Sequence, residues 1–379
     1  MSFNSLGLSL PLVKAIEKQY QTAYPIQQQA IPVILKGKDV LGIAQTGSGK
    51  TASFVLPVLD LLQNKIPSRN RYVKVLVLVP TRELAVQVSE VFQQFSSGLP
   101  EKLKTLAVYG GVSINPQMMA MSGTDILVAT PGRLLELIDN NAVFLSDVRI
   151  LILDEADKML NLGFEEEMDR VFKLLPKQRQ TILFSATLGE AVNSIKENLL
   201  KDPLTIEIKK DEQSVELIKQ SAYIVHPDRK GVLLRYLIKT RDMQQVLVFV
   251  SSKKRADNVV VKLNKNGIEA AAMHGDKSQG ARMDALKKFK SGKLRVLVAT
   301  DLAARGIDIQ FLPFVINYEL PRSPTDYVHR IGRTGRAESP GEAITLLCED
   351  DNHHFGVIQK KMKKKVPIIE TNDLDLKGY

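Results

Sequence analysis

The sequence predicts an α/β protein made of two doubly wound parallel sheets in tandem. Three observations carry this. Short runs rich in Val, Ile and Leu alternate with helix-like segments along the chain. These runs are continuously apolar, the pattern of strands covered on both faces. The chain also has 379 residues, more than one domain usually holds, and its rhythm breaks at the polar run Lys209-Lys210-Asp211-Glu212-Gln213-Ser214.

Before the break the predicted strands are Val40–Ile43, Val73–Val79, Thr105–Tyr109, Asp125–Ala129, Arg149–Leu153 and Thr181–Ser185, with helices between them such as Arg82–Phe95 and Gly163–Leu175. After it they are Ser221–Val225, Val246–Val250, Ala270–Met273, Arg295–Ala299, Phe314–Tyr318 and Ala343–Leu347. The expected organisation is a first domain over 1–207, a linker over 208–217, a second domain over 218–366 and a short tail over 367–379. Lys360-Lys361-Met362-Lys363-Lys364-Lys365 reads as the basic end of a helix, either solvated or touching phosphates.

Composition excludes several classes. Hydrophobic residues at 44% and charged residues at 25% describe an ordinary globular chain, neither disordered nor fibrous. No apolar run approaches the roughly 20 residues that span a bilayer, and no secretory signal pattern opens the chain. A single cysteine, Cys348, excludes an intrachain disulfide, so a reducing cytoplasm is the expected setting. Charge is uneven. Residues 1–207 carry 21 Lys and Arg against 21 Asp and Glu, so the net +10 lies wholly in residues 208–379. A basic surface suits a polyanionic partner, although it also serves solubility.

Two motifs carry chemistry. Between the strand Val40–Ile43 and a helix predicted over Ala52–Leu62 lies Ala44-Gln45-Thr46-Gly47-Ser48-Gly49-Lys50-Thr51. Such a loop turns successive backbone N–H groups into one concavity for phosphate oxygens. Lys50 then reaches the β- and γ-phosphates, and the Thr51 hydroxyl can ligate Mg²⁺. Ala44 stands where the usual pattern has its first Gly. The second motif, Asp154-Glu155-Ala156-Asp157, follows an apolar strand, which places its carboxylates at the same end of the sheet as the loop. Asp154 suits Mg²⁺ held largely through water, and Glu155 suits the water that attacks the γ-phosphate.

With these residues and others in order, the chain resembles the DEAD-box ATP-dependent RNA helicases of superfamily 2 over nearly its whole length. The first-domain motifs are Gln27 in Tyr24-Pro25-Ile26-Gln27, the phosphate loop, Pro80-Thr81-Arg82-Glu83-Leu84-Ala85, Gly110-Gly111, Thr130-Pro131-Gly132-Arg133, Asp154–Asp157 and Ser185-Ala186-Thr187. The second domain continues with Val248-Phe249-Val250-Ser251, His274-Gly275, Gln279 with Arg282, Ala299-Thr300-Asp301 through Arg305-Gly306-Ile307-Asp308, and His329-Arg330-Ile331-Gly332-Arg333-Thr334-Gly335-Arg336. Within the family it is similar to the bacterial RhlE-type members.

The resemblance implies two RecA-like domains, ATP with Mg²⁺, and RNA as partner. It implies adenine selection by Gln27 with stacking on Phe3, although Ala23 and Tyr24 depart from the family form. Gly306 and Asp308 are implied near the nucleotide, and Arg333 and Arg336 as arginines delivered to the γ-phosphate from the second domain. RNA is expected to be held through phosphate and ribose. The residues implied are Arg82, Gly111, Thr130 and Arg133 in the first domain, and His274, Gly275, Gln279, Arg282 and Thr300 in the second. Ser185 and Thr187 are implied to link the nucleotide and RNA sites. The expected enzyme is an RNA-stimulated ATPase that separates short duplexes as a monomer off the membrane, with ribosomal or RNA-degradation proteins as candidate partners. An ATP-gated RNA clamp uses the same motifs, and a DNA helicase is disfavoured by Gln27 and the acidic tetrad.

Overall fold

The computed structural model describes residues 2–17, 20, 22–44, 48–63, 70–208, 218–304, 309, 312–335, 341–372 and 374–379. The chain divides into two units, Met1–Lys210 and Asp211–Tyr379. The first holds β1 (Val40–Ile43), β2 (Val75–Leu78), β3 (Thr105–Val108), β4 (Ile126–Ala129), β5 (Ile150–Leu153), β6 (Gln180–Ser185) and β7 (Leu204–Glu207). They form one parallel sheet in the order β3-β4-β2-β5-β6-β1-β7. The second holds β8 (Lys219–Ile224), β9 (Val246–Val250), β10 (Ala270–Met273), β11 (Val296–Thr300), β12 (Phe314–Asn317), β13 (Glu342–Leu347) and β14 (Ile368–Glu370). Its parallel order is β10-β11-β9-β12-β13-β8-β14, so each unit, read in its own chain order, has the same winding.

Side-chain type sorts the faces of the first sheet. β2 reads Val-Leu-Val-Leu and β5 reads Ile-Leu-Ile-Leu, and the register sets Val77 beside Val128 and Ile152. Because successive strand residues point to opposite faces, β-branched side chains gather on one side and leucines on the other. The β-branched face packs against Phe54, Val88 and Phe92, and the leucine face against Leu134, Leu137, Met168 and Val171. Both faces are covered, which is why the strands read as continuous apolar runs.

Every predicted strand is present, with its ends shifted by two residues at most, and the phosphate-loop helix runs Lys50–Leu61. Two strands escaped the sequence reading, β7 and β14. Each lies at a sheet edge beside the first strand of its unit and is largely exposed, so neither carries a buried-strand pattern. The segment expected as a tail is built into the second unit. β14 pairs with β8, Leu376 joins the core, and Tyr379 packs edge-on against Tyr236 while its carbonyl accepts from Arg235 at 2.7 Å. Of the expected linker, Ile208 donates its N–H to the Ile43 carbonyl, and residues 209–217 lie outside the described residues.

β1, which leads into the phosphate loop, contains Gly42. The Phe184 ring of β6 lies across it, so a Cβ there would fall within the ring's van der Waals envelope. Phe184 is fully buried against Phe54, with ring centroids 5.8 Å apart, and has little room to withdraw. Gly42→Ala is therefore expected to destabilise the first unit by about 1–3 kcal/mol through overpacking. Denaturant unfolding checks this, and an unchanged midpoint would contradict it.

Candidate nucleotide and nucleic-acid sites

In a doubly wound sheet the carboxyl ends of the strands open a crevice for ligands. The first unit divides that edge in two. β1, β6 and β5 are neighbours, and beyond their ends come Ala44–Thr51, Ser185–Thr187 and Asp154–Asp157. β2, β4 and β3 are neighbours as well, and beyond them come Arg82, Thr130–Arg133 and Gly110–Gly111. The residues expected at nucleotide and at RNA thus occupy adjoining halves of one edge. The second unit repeats the second half, with His274 and Gly275 after β10, Thr300 closing β11 and Ser251 after β9.

The loop is braced from both sides. Ala44 donates its N–H to the Ser185 carbonyl at 3.0 Å, continuing the β1–β6 ladder. Gly49 has φ +89°, a left-handed conformation that glycine adopts without strain, and the helix starts at Lys50. Lys50 is buried, and its ammonium donates to the Ala44 carbonyl at 2.9 Å. The lysine thus folds back over the loop. Thr51 is half-buried in the first helical turn. Gln45, Thr46 and Gly47 lie outside the described residues, and Ser48 is half-buried.

Gln27, 1% exposed, ties the N-terminal helix to this loop. Its Oε1 accepts from the Tyr24 N–H at 2.9 Å, and its Nε2 donates to the Gly49 carbonyl at 3.2 Å. An amide has two donors and two lone pairs, so each atom keeps capacity for a base edge. Phe3 is different. It is 2% exposed within the apolar core, so its ring offers no open face for adenine in this state.

Asp154 and Glu155 are both buried at the end of β5. Asp154 Oδ1 and Glu155 Oε2 have no hydrogen-bond partner. Glu155 Oε1 accepts from Lys158 Nζ at 2.7 Å, and the Glu155 backbone takes φ 55°, ψ 47°. A left-handed non-glycine residue costs of order 1 kcal/mol or more and tends to persist at functional positions. Burial pushes the Asp154 carboxyl up to about 6 against the opposing pull of Lys50. Asp157 Oδ2 accepts from the Thr187 hydroxyl at 3.1 Å, and the Ser185 hydroxyl donates to the Thr187 carbonyl at 2.7 Å. The turn expected to couple the sites is thereby bonded to the acidic tetrad.

On the other half of the edge, two arginines clasp one loop. Gly111 has φ +75°, and the Arg82 guanidinium lies where its Cβ would be. Arg133, 5% exposed, donates through Nη2 to the Val112 carbonyl at 2.8 Å and through Nε to Glu136 at 2.8 Å. Arg133, expected at RNA, holds the loop in this state and keeps its Nη1 unbonded. Thr130 is buried at the start of the helix Pro131–Asp139.

In the second unit, His274 Nε2 shares a hydrogen bond with Asp257 at 3.1 Å, and Lys277 pairs with the same carboxylate at 2.8 Å. Lys277 and His274 hold Asp257 below the usual carboxylate range. The buried amide of Gln279, at the start of the helix Gln279–Lys290, has neither its Oε1 nor its Nε2 bonded. Arg282 lies one turn on, and Gly275 is exposed beside Lys253. Arg333 is 8% exposed, while Gly306, Asp308 and Arg336 lie outside the described residues. Sequence reasoning quoted Asp301 and Arg330 without giving them work; the structure joins them in a bidentate ion pair. Their membership of the quoted motifs was the only available signal. Lys158 carried none.

A parallel sheet with a glycine-turned loop, a buried lysine and two buried carboxylates, each with one unbonded oxygen, at one strand edge defines a nucleoside triphosphatase core of the P-loop class. Residues 24–195 match the DEAD/DEAH box helicase family, and residues 229–338 match the helicase conserved C-terminal domain. The chain is 39% identical over 376 residues to the DEAD-box ATP-dependent RNA helicase CshA of Geobacillus kaustophilus, covering 99% of this chain and 79% of that protein. It is 44% identical over 368 residues to CshA of Streptococcus pneumoniae, covering 97% and 69%. A solved structure of S. cerevisiae Dbp5 bound to RNA and ADP BeF3 superposes with a TM-score of 0.82 at 31% identity, covering 98% of this chain and 96% of that one. The chain belongs to the DEAD-box family of ATP-dependent RNA helicases, enzymes with RNA-dependent ATP hydrolase activity. The RhlE-type placement is not supported, since these bacterial relatives carry the name CshA. Among the described residues no helix is long and apolar enough to cross a membrane.

The Asp154 value sets a pH dependence. Its carboxyl is raised from 3.8 to about 6, so the ligand-free fold gains stability from its protonated form. That gain is full below the unfolded value and is lost as pH rises through about 6. A carboxylate ligates a divalent cation in its ionised form, so a cation–nucleotide complex held by Asp154 would draw on that form. Affinity is expected to weaken as pH falls through about 6, by up to about tenfold per unit, and to lose this dependence in Asp154→Asn. Titration calorimetry across that range checks it, and a flat wild-type profile would contradict it.

Proposed function

We propose that the first unit binds ATP on Ala44–Thr51 and that hydrolysis requires Arg333 and Arg336 from the second unit, with RNA bound across the two RNA-facing strand edges. The observation that carries this reading is the pair of buried, unpartnered carboxylate atoms, Asp154 Oδ1 and Glu155 Oε2, on the same strand edge as a lysine bonded to its own loop. On nucleotide binding, Lys50 exchanges the Ala44 carbonyl for the β- and γ-phosphates. Glu155 accepts a hydrogen bond from the attacking water, and its left-handed backbone with Lys158 on the other oxygen fixes where it points.

The hard, unbonded oxygen of Asp154 and the hydroxyl of Thr51 fit Mg²⁺. When bound, Mg²⁺ neutralises charge on the phosphate oxygens. Gln27 reads the adenine edge with the capacity left after its bonds to Tyr24 and Gly49; Phe3 is left out of the adenine contact because its ring is covered. RNA is gripped on phosphate and ribose by Arg82, Gly111, Thr130, His274, Gly275, Gln279, Arg282 and Thr300, while Arg133 shapes the Gly111 loop. One chain supplies every group, so a monomer suffices, and its single cysteine suits a reducing cytoplasm.

Lys50→Ala and Glu155→Gln are each expected to abolish RNA-stimulated ATP turnover; retained turnover in both would refute the reading. Arg333→Ala is expected to leave nucleotide affinity nearly unchanged and to slow hydrolysis by roughly 10³-fold or more, as for other arginines delivered to a γ-phosphate. Loss of nucleotide binding of that size would refute the delivered role. Strand separation on a short RNA duplex completes the test, since turnover without separation would favour an ATP-gated clamp.

A further inference from the structure

We propose that Arg330 is a positioning residue that ties the orientation of the Arg333-bearing segment to the RNA-facing end of β11. The inference rests on the function proposed above and deepens it. Arg330 lies on the helix Pro324–Ile331 and is 2% exposed. Its Nε and Nη2 donate to the two oxygens of Asp301 at 2.6 and 2.7 Å. Its Nη1 donates to Asn317 Oδ1 at 3.1 Å and to the Glu319 carbonyl at 2.6 Å, and its face lies 4.9 Å from the Phe249 ring centroid. Four hydrogen bonds and a stacked ring leave a planar guanidinium one orientation.

Both ends of this clamp lead to the proposed chemistry. Asp301 directly follows Thr300, the last residue of β11 and an expected RNA contact. Arg333 donates its backbone N–H to the Arg330 carbonyl at 3.1 Å. A displacement of Thr300 by RNA is therefore passed through one residue, one ion pair and one backbone bond to Arg333.

The helix is also keyed to the sheet at a second point. One turn before Arg330, the Tyr327 hydroxyl shares a hydrogen bond with Thr345 Oγ1 at 3.0 Å, and Asn317 Nδ2 donates to that same oxygen at 3.3 Å. Asn317, Tyr327 and Thr345 are all fully buried. A buried ion pair and its polar partners add little net stability compared with apolar packing, and their geometric demand is the larger effect. Apolar side chains alone would let the helix slide or rotate slightly. This network holds it to one register against β12 and β13, and a misplacement of about 1 Å can cost on the order of 100-fold in rate.

The test compares wild type, Arg330→Lys, Asp301→Asn and the double variant. Lysine keeps the charge but cannot make the two-pronged pair. RNA-stimulated kcat is expected to fall roughly tenfold or more in each single variant, with nucleotide affinity measured without RNA and RNA affinity each within about twofold of wild type. The double variant is expected to fall no further than the worse single one, because both changes break one link. If Arg330→Lys loses its fold by circular dichroism, Asp301→Asn decides alone. An RNA-stimulated kcat within about twofold of wild type in folded Asp301→Asn, multiplying losses in the double variant, or a parallel collapse of ligand affinity would each overturn the assignment. Absence of RNA stimulation in wild type would instead overturn the functional reading beneath it.

Discussion

A buried carboxylate that the first unit does not satisfy is the constraint on which the rest depends. Asp154 sits at the end of β5, closed from solvent, with one oxygen unpartnered and its ionisation opposed by burial. Leaving such a group unbonded is unfavourable by roughly 1–3 kcal/mol or more, so it persists only where something recovers the loss. In the function proposed above, a nucleotide with its cation would do so by satisfying Asp154, releasing Lys50 from the Ala44 carbonyl and meeting Glu155 in one event. The parallel sheet makes this geometry available, because it sets β1, β6 and β5 side by side with their ends together.

The same winding occurs in both units, but its strand ends are put to different use. At the ends of β4 and β11, the fourth strand of each unit, stand Thr130 and the Thr300-Asp301 pair; after β3 and β10, the third, stand Gly110-Gly111 and His274-Gly275. An RNA backbone repeats along its length, so two copies of one scaffold that present similar ends suit two stretches of it. The second unit has no Gly-Lys-Thr loop, and its helix Pro324–Ile331 leads instead to Arg333. In the function proposed above, hydrolysis draws on that arginine of the second unit. The proposed role of the Asp301–Arg330 pair is to make the strand end at Thr300 and the Arg333-bearing segment mechanically one within that unit.

Legibility in the sequence followed burial and spacing. β2 and β5 were readable because both faces are covered and every residue is apolar, whereas β7 and β14 were not, since an exposed edge strand needs no such pattern. The placement of Lys50, Asp154 and Glu155 at one strand edge was readable because each follows a predicted buried strand at short, fixed spacing. Phe3 was misjudged because position in a motif does not reveal whether a ring is covered. The bond from Arg133 to the Val112 carbonyl was not legible because the fold alone brings the two together. Arg330 was passed over for the same reason: Asp301, Asn317 and Glu319 are scattered in sequence and meet only at the ends of β11 and β12.

The central claim is that nucleotide and RNA act on one equilibrium. Linkage then requires that each ligand change the other's affinity by the same factor. The most direct measurement is the affinity of a non-hydrolysable ATP analogue with and without saturating RNA, paired with the affinity of RNA with and without the analogue. Equal factors, on the order of five- to 150-fold in each direction, are the predicted result. Factors of one in both directions would contradict the account, because the two halves of the strand edge would then be independent sites.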